Sequence, residues 1–343
     1  MQEKLKGLVR YLIMVGIAAL LLWLAVYNIE VGEGQTKLGF IMSIWATADK
    51  KYLFLSAFMA IISHVIRAER WRMLLKPLGH PVSLGHGFLS VMIGYFVNLA
   101  IPRGGEVSRC YNIYKLDKTP MDISFGTVVA ERVIDLFFLL SLIALAFFIE
   151  LDNLLYFFSE LNISGEDEGA TYPITSLLIL GVAGLSLSIA FIIFVFRYYK
   201  MKTLRLAVKM RTAFRGLKKG LTIVFKIKNK TLFFTYSVLI WVLYYLMSYF
   251  VIIAFPQTAE LGLLAALSIF VIGGIAMAIP LPGGTGSYHV LVPFGLVLLY
   301  GLGQQESVAF SFIFHGWQTF IIIIFGLFSL LLSQYIIRKN KNV

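Results

Sequence analysis

The sequence predicts an all-α polytopic membrane protein built from two inverted repeats. Three observations carry this. The 343-residue chain is 59% hydrophobic, above the ~45–50% apolar content of soluble globular chains. Apolar runs near or above the ~18 residues expected of a membrane-crossing helix recur along its whole length. The stretch NLAIPRGGEVSR, 98–109, has a near twin in MAIPLPGGTGSYH, 277–289. The longest polar stretch, 197–230, is too short for a soluble domain with its own core. Residues 1–343 are therefore read as a single integral membrane domain.

The first span is expected at 8–27. Lys4, Lys6 and Arg10 precede it, as in a secretory signal, but no small-x-small cleavage site follows, so the span is expected to be retained. Further full spans are expected at 52–75, 123–149, 172–196, 231–255 and 307–335. Two more apolar pieces, 84–101 and 261–280, end in the Pro/Gly motifs. Each is followed by a weaker segment, 103–117 and 285–303.

Charge decides how these four pieces lie. Residues 197–230 hold twelve Lys/Arg and no Asp/Glu, whereas 150–171 hold six Asp/Glu and no Lys/Arg. Positive charge near span ends marks the cytoplasmic side. The basic segment, the N-terminus and the C-terminus (Arg338, Lys339, Lys341) are then cytoplasmic, in a bacterial cytoplasmic membrane. If 84–101 crossed alone, the basic segment would face outside. If 84–101 and 103–117 form a hairpin entering and leaving on the cytoplasmic side, every charge agrees. Segment 103–117 is also short, and it carries Arg103, Glu106, Arg109, Lys115 and Asp117. The same logic makes 261–303 a hairpin entering from outside. The expected architecture has about six full transmembrane helices and two re-entrant helical hairpins. Repeat 1 is 52–149, with hairpin 84–117. Repeat 2 is 231–335, with hairpin 261–303. They are joined through the linking span 172–196 and the segment 197–230. Opposite openings make them inverted repeats, a transporter arrangement. In 197–230 an apolar stripe (Ala207, Met210, Phe214, Leu217, Leu221, Val224) fits an amphipathic helix on the inner leaflet, or a solvated connector.

Charges at membrane depth cost about 2.5–3.5 kcal/mol each unless paired or hydrated. Such residues cluster here. His64, Arg67 and Trp71 share one helix face, and so do Glu131 and Asp135. Arg72 is expected at the cytoplasmic interface, and Arg70 either there or in an orienting network. Arg67, Arg103, Arg109 and Arg132, with Asn98, are candidates to hold a lipid headgroup phosphate, because the guanidinium fork matches phosphate oxygens. Glu106, Glu131, Asp135 and Arg70 would orient them. The second repeat offers neutral groups, Thr285, Ser287 and His289, for a weaker exit site. Helices starting near Gly105 and Gly286 would point partial positive charge at the cavity. Pro102, Gly104, Gly105, Pro280, Pro282, Gly283 and Gly284 are candidate hinges. A second reading stays open: Glu131 and Asp135 fully occupy Arg103 or Arg109 and merely fix the hairpin.

Other classes fit poorly. The single Cys110 permits no intramolecular disulfide, and no metal-ligand cluster is present. The net charge of +12 reports orientation, so no nucleic-acid partner is expected. No cofactor, metal or enzymatic activity is expected.

Four motifs in order, AERWRMLL, GYFVNLAIPRGGEVSR, TVVAERVIDL and AIPLPGGTGSYH, resemble the lysylphosphatidylglycerol synthase transmembrane family of flippase-like proteins. The resemblance covers about 8–335. It implies two inverted repeats with re-entrant helices. It also implies kinship with the flippase part of the multiple peptide resistance factor, which moves aminoacylated phosphatidylglycerol between leaflets. That factor carries a soluble aminoacyl-transferase domain after its membrane part. None is expected here, so the chain is not expected to aminoacylate a lipid itself. The leading expectation is a translocase for an anionic or phosphate-linked lipid: a phospholipid, a glycolipid or a polyprenyl-phosphate-linked sugar. Alternatives are a small-anion or metabolite transporter on the same scaffold, or a non-transporting partner of a lipid-synthesis enzyme. Expected partners are membrane lipids, with a lipid-modifying enzyme or a second copy of the chain also open.

Overall fold

A computed structural model describes residues 2–27, 29, 34–152, 223 and 226–340. Every regular element among them is helical. The α-helices are α1 Gln2–Tyr27, α2 Lys37–Thr47, α3 Lys50–Leu75, α4 Leu84–Ala100, α5 Gly104–Asp117, α6 Met121–Ile149, α7 Lys230–Ile253, α8 Gly262–Ala278, α9 Ser287–Tyr300 and α10 Gln304–Lys339.

Five helical stretches are long and apolar enough to cross a membrane: Lys50–Leu78, Met121–Ile149, Lys230–Ile253, Ala259–Ala278 and Gln304–Lys339. Tyr11–Tyr27 and Leu84–Ala100 are shorter apolar helices. The protein is a multi-pass membrane protein. Large side chains such as Phe137, Phe234, Phe328 and Leu331 stand exposed on the outer faces of α6, α7 and α10, as hydrocarbon solvent allows and water penalises.

Four of the expected full spans are α3, α6, α7 and α10, and the first lies within α1. The stretch ending in α8 is long enough to cross, although its motif marked it as a hairpin arm. Helix α2 was not expected. It has 11 residues, Thr36 Oγ1 accepts its Gly39 N–H at 3.0 Å, and it packs on α10. It is too short to register as a span. The linking span 172–196, nearly all of the basic segment and most of the acidic loop lie outside the described residues.

The two hairpins match in dimensions. α4 and α8 have 17 residues each, and α5 and α9 have 14 each. Their surroundings match too. The first helices of the two units, α3 and α7, pack on each other antiparallel. Asp49 N–H bonds Ala254 O at one end, and Arg70 bonds Ser237 towards the other. α4 packs on α10, and correspondingly α8 packs on α6. Equivalent helices that run antiparallel, with exchanged neighbours, are what a two-fold axis across the bundle produces. That is the relation between inverted repeats.

The two Gly-Gly pairs do not play equivalent parts, although the sequence twins align them. Gly104 and Gly105 form the first turn of α5. A Cβ on Gly105 would lie 2.1 Å from Gly94 O, so this glycine lets the two arms touch backbone to backbone. Gly283 and Gly284 instead lie in the turn before α9, at φ 57° and 71°. In the first hairpin the left-handed turn residue is Arg103, φ 60°, just after Pro102.

A buried arginine–carboxylate cluster as candidate functional site

Helices α3, α5 and α6 bring three arginines and two carboxylates together out of contact with solvent. The i, i+4 spacing on α6 turns Glu131 and Asp135 inward on one face. Asp135 Oδ2 lies 2.7 Å from Arg67 and its Oδ1 2.8 Å from Arg70. Glu131 lies 3.4 Å from Arg70 and 2.7 Å from Arg109. Arg70 is 0% exposed, so it belongs to the network rather than to the interface. Arg67 Nε also donates to Tyr244 Oη at 3.0 Å. Arg70 donates to Ser237 at 3.2 Å, which ties the cluster to α7. The guanidinium of Arg109 stacks 3.7 Å from the Trp71 ring centroid, and Trp71 donates to Thr127 at 2.9 Å. The shared face of His64, Arg67 and Trp71 forms the α3 wall. The His64 ring lies 4.7 Å from that of Tyr95.

Three guanidinium groups face two carboxylates, so the buried cluster carries one surplus positive charge. Arg109 Nε is buried and makes no hydrogen bond among the described residues. Beside it a crevice of about 10 Å³ is lined by Tyr95, Asn98, Glu106, Arg109 and Arg132 and by small or apolar neighbours. It has room for about one water and is too narrow, in this conformation, for a lipid headgroup. At its rim Arg132 pairs with Glu106 at 3.1 Å, with the Arg132 side chain 45% exposed. Asn98 Oδ1 accepts the Gly105 N–H at 2.7 Å. That bond satisfies one of the open donors at the start of α5.

Sequence reasoning therefore located the cluster but misassigned some partners. Arg109 is held by Glu131, as one reading anticipated. Arg103 is not: it is exposed on the hairpin tip and makes no ion pair among the described residues. Asp135 is occupied by Arg67 and Arg70. Tyr244 and Ser237, which complete the network from α7, were missed. Neither sits beside a charge in sequence, and only the antiparallel α3–α7 contact brings them in.

The neutral groups of the second hairpin are gathered but inward-looking. Ser287 donates to Ala276 O at 2.8 Å and to Gly284 O at 3.1 Å, pinning the arms. His289 Nδ1 accepts the Gly286 N–H at 3.3 Å. Its ring lies 4.9 Å from that of His315, which bonds Gly283 O at 2.9 Å. Ser287 and His289 are buried and serve the hairpin, while Thr285 is half-buried at the turn.

Among curated proteins, a UPF0104 membrane protein of Methanocaldococcus jannaschii is 32% identical over 114 residues, 32% of this chain and 34% of that protein. The match thus spans about a third of that relative's length. A UPF0104 membrane protein of Methanothermobacter thermautotrophicus is 27% identical over 80% of this chain and 81% of its own. The glycosyltransferase AglD of Haloferax volcanii is 23% identical over 94% of this chain but 54% of its own length. No solved structure matches. The family pattern described as lysylphosphatidylglycerol synthase TM region matches residues 11–326, and the chain belongs to that family.

Proposed function

We propose that the chain moves an anionic or phosphate-linked lipid between the leaflets of the membrane. One observation carries this: a buried cluster with a surplus guanidinium charge borders a crevice whose rim holds a second, exposed arginine. A buried surplus charge is costly unless an opposite charge visits it. A phosphate on its way through the bundle is such a charge, and arginine forks suit its oxygens. In this reading Arg109 and Arg132 receive the headgroup. Arg103 meets it first at the hairpin tip. Arg67, Arg70, Glu131 and Asp135 hold Arg109 in place. The crevice must widen, and the α4–α5 hairpin is the element to move, because α5 meets α6 through the Glu131–Arg109 and Glu106–Arg132 pairs. Positive charge at both ends and in 197–230 supports termini on the cytoplasmic side.

The likeness to a glycosyltransferase adds sugar-bearing lipid phosphates to the candidate cargoes. The other 46% of that relative has no counterpart in the match, so its named activity is not transferred to this chain. The test is leaflet transfer of short-chain fluorescent lipids in vesicles containing the purified protein. Faster transfer of anionic than of zwitterionic lipids supports the proposal. Transfer no faster than in protein-free vesicles, for every lipid class, overturns it. Uptake of a radiolabelled anion without lipid movement would instead favour the small-anion transporter.

A further inference from the structure

A second cavity, of about 310 Å³, lies between α6, α8 and α9. It is far larger than the crevice and almost wholly apolar. Its wall includes Ile143 and Phe147 on α6, Ile275 on α8, and Leu291, Phe294 and Gly295 on α9. Two polar side chains, Glu150 and Ser268, also line it. Both are buried. The Glu150 carboxylate accepts from Ser268 Oγ and Tyr300 Oη.

The lining is ordered along the helices. Glu150, Ser268 and Leu299 stand at one end, where α6 and α9 finish and α8 has just begun. Ile143, Ile275 and Leu291 stand at the other, about two helical turns inward. At ~1.5 Å per residue the cavity extends about 10–12 Å along the helix axes. It therefore runs from a polar end at the helix termini to an apolar end deeper in the bundle. Ile275 and Phe294 on its wall are exposed to the outside of the bundle, so the cavity opens sideways.

Equivalent positions of the two units carry different residues here. Counted from their first residues, Ser90 and Ser268 are each seventh in α4 and α8. Asn112 and Gly295 are each ninth in α5 and α9. In the first unit Asn112 fills the gap, donating to Ser90 at 2.9 Å and to Ser333 at 3.2 Å. In the second unit Gly295 brings no polar side chain there, and Ile272 packs against it, 2.5 Å from where a Cβ would stand.

We propose that this cavity seats one hydrocarbon chain of a membrane lipid, with the lipid's polar end towards Glu150. An apolar pocket that opens sideways from membrane-crossing helices meets lipid tails rather than water. Its length, its polarity gradient and its lateral mouth all match a single chain entering from the interface. The phosphate-handling crevice lies in the other unit, so this site stands whether or not the protein moves lipids.

The experiment uses the full chain in vesicles of phosphatidylcholine carrying a diazirine midway along one acyl chain. After photolysis, cross-linked peptides are mapped by mass spectrometry. The expected result is concentrated labelling of 143–147 and 291–299, several-fold above the exposed faces of α7 and α10. Ile275→Trp blocks the mouth from an exposed position, leaves the buried packing alone, and should reduce that excess at least threefold. Labelling spread evenly over all outward faces overturns the proposal. So does an excess that persists in the Ile275→Trp protein.

Discussion

The first hairpin, Leu84–Asp117, is closed by charge and by backbone contact. Arg109 is gripped by Glu131 and Trp71, and Gly105 lies against the Gly94 carbonyl. The second, Gly262–Tyr300, has arms of the same lengths but is closed by hydroxyls and rings. Ser287 pins its arms, and Tyr288 fills the approach to Gly273 and stacks 5.0 Å from His315. Equal scaffolding thus carries unequal chemistry. The duplicated helices set where the arms lie, and the side chains decide what each hairpin can attract. The first unit collects surplus positive charge beside a narrow crevice. The second collects neutral groups and a large apolar cavity. A phosphate and a hydrocarbon chain are the two parts of one lipid, and in the proposed reading each unit receives one part.

The strongest test of this asymmetry removes the carboxylate that two arginines share. Asp135→Ala leaves Arg67 and Arg70 buried against the single remaining acid, Glu131. Breaking a buried pair from one side costs about 3–5 kcal/mol. The variant should show a large drop in unfolding temperature in detergent. His289→Ala, in the other hairpin, removes no charge partner and should cost clearly less. Equal losses would mean that the arginine cluster is no more important to the fold than the neutral contacts.

Next come the glycines. Gly105→Val pushes a side chain into the Gly94 backbone, which cannot step aside as a flexible side chain would. Overpacking of this kind costs about 1–3 kcal/mol, or more where backbone must move. Gly283→Ala meets the side chain of Leu99 at 3.1 Å and keeps a left-handed φ, for which the cost is about 1–2 kcal/mol. The sequence twins would suggest equal sensitivity. The structure predicts the greater loss at Gly105, measurable by chemical unfolding of the two variants side by side.

That contrast shows what was legible in the sequence. Hydropathy located the long helices, and the punctuation AIP followed by Gly-Gly located both hairpin tips. Helical spacing put Glu131 and Asp135 on one inward face. Register across the turn was not legible. Gly283, Gly284 and Gly286 take left-handed φ and delay the start of α9 to Ser287, whereas Gly104 and Gly105 begin α5, so glycines that align in sequence separate in space. Partners from α7 were not legible either, because Ser237 and Tyr244 acquire their meaning only from α3 lying antiparallel beside them. Arg70 was ambiguous for the same reason: one helix alone does not show which of its faces a neighbour covers. Helix α2 escaped because an 11-residue helix that includes Lys37, Ser43 and Thr47 does not resemble a span.

The interarm hydrogen bonds offer a finer comparison. Asn98→Ala removes the acceptor for Gly105 N–H, and Ser287→Ala removes the donor to Ala276 O. Each should cost about 1 kcal/mol, the usual net worth of one such bond, up to about 3 if the abandoned group stays dry. Similar losses in the two unfolding curves would show that the hairpins are pinned equally and differ in chemistry alone. A much larger loss for Asn98→Ala would make the first hairpin the one that depends on its pin.

The smallest expected effect on stability carries the most functional weight. Arg132 is paired with Glu106 at the crevice rim, and its side chain is 45% exposed. Exposed pairs contribute about 0–1 kcal/mol, so Arg132→Gln should unfold almost as the parent does. If Arg132 receives a headgroup phosphate, the same variant should slow anionic-lipid transfer about tenfold or more. Zwitterionic transfer should change little. Thr285→Val, at the turn of the second hairpin, is the control: it removes a half-buried polar group where no surplus charge collects. It should leave the preference for anionic lipid intact. If both variants lower transfer of every lipid alike, the two hairpins act as one gate and the charge of the first does not select the cargo. If Arg132→Gln alone abolishes the preference, selection resides at the first hairpin, and the second serves the part of the lipid that carries no charge.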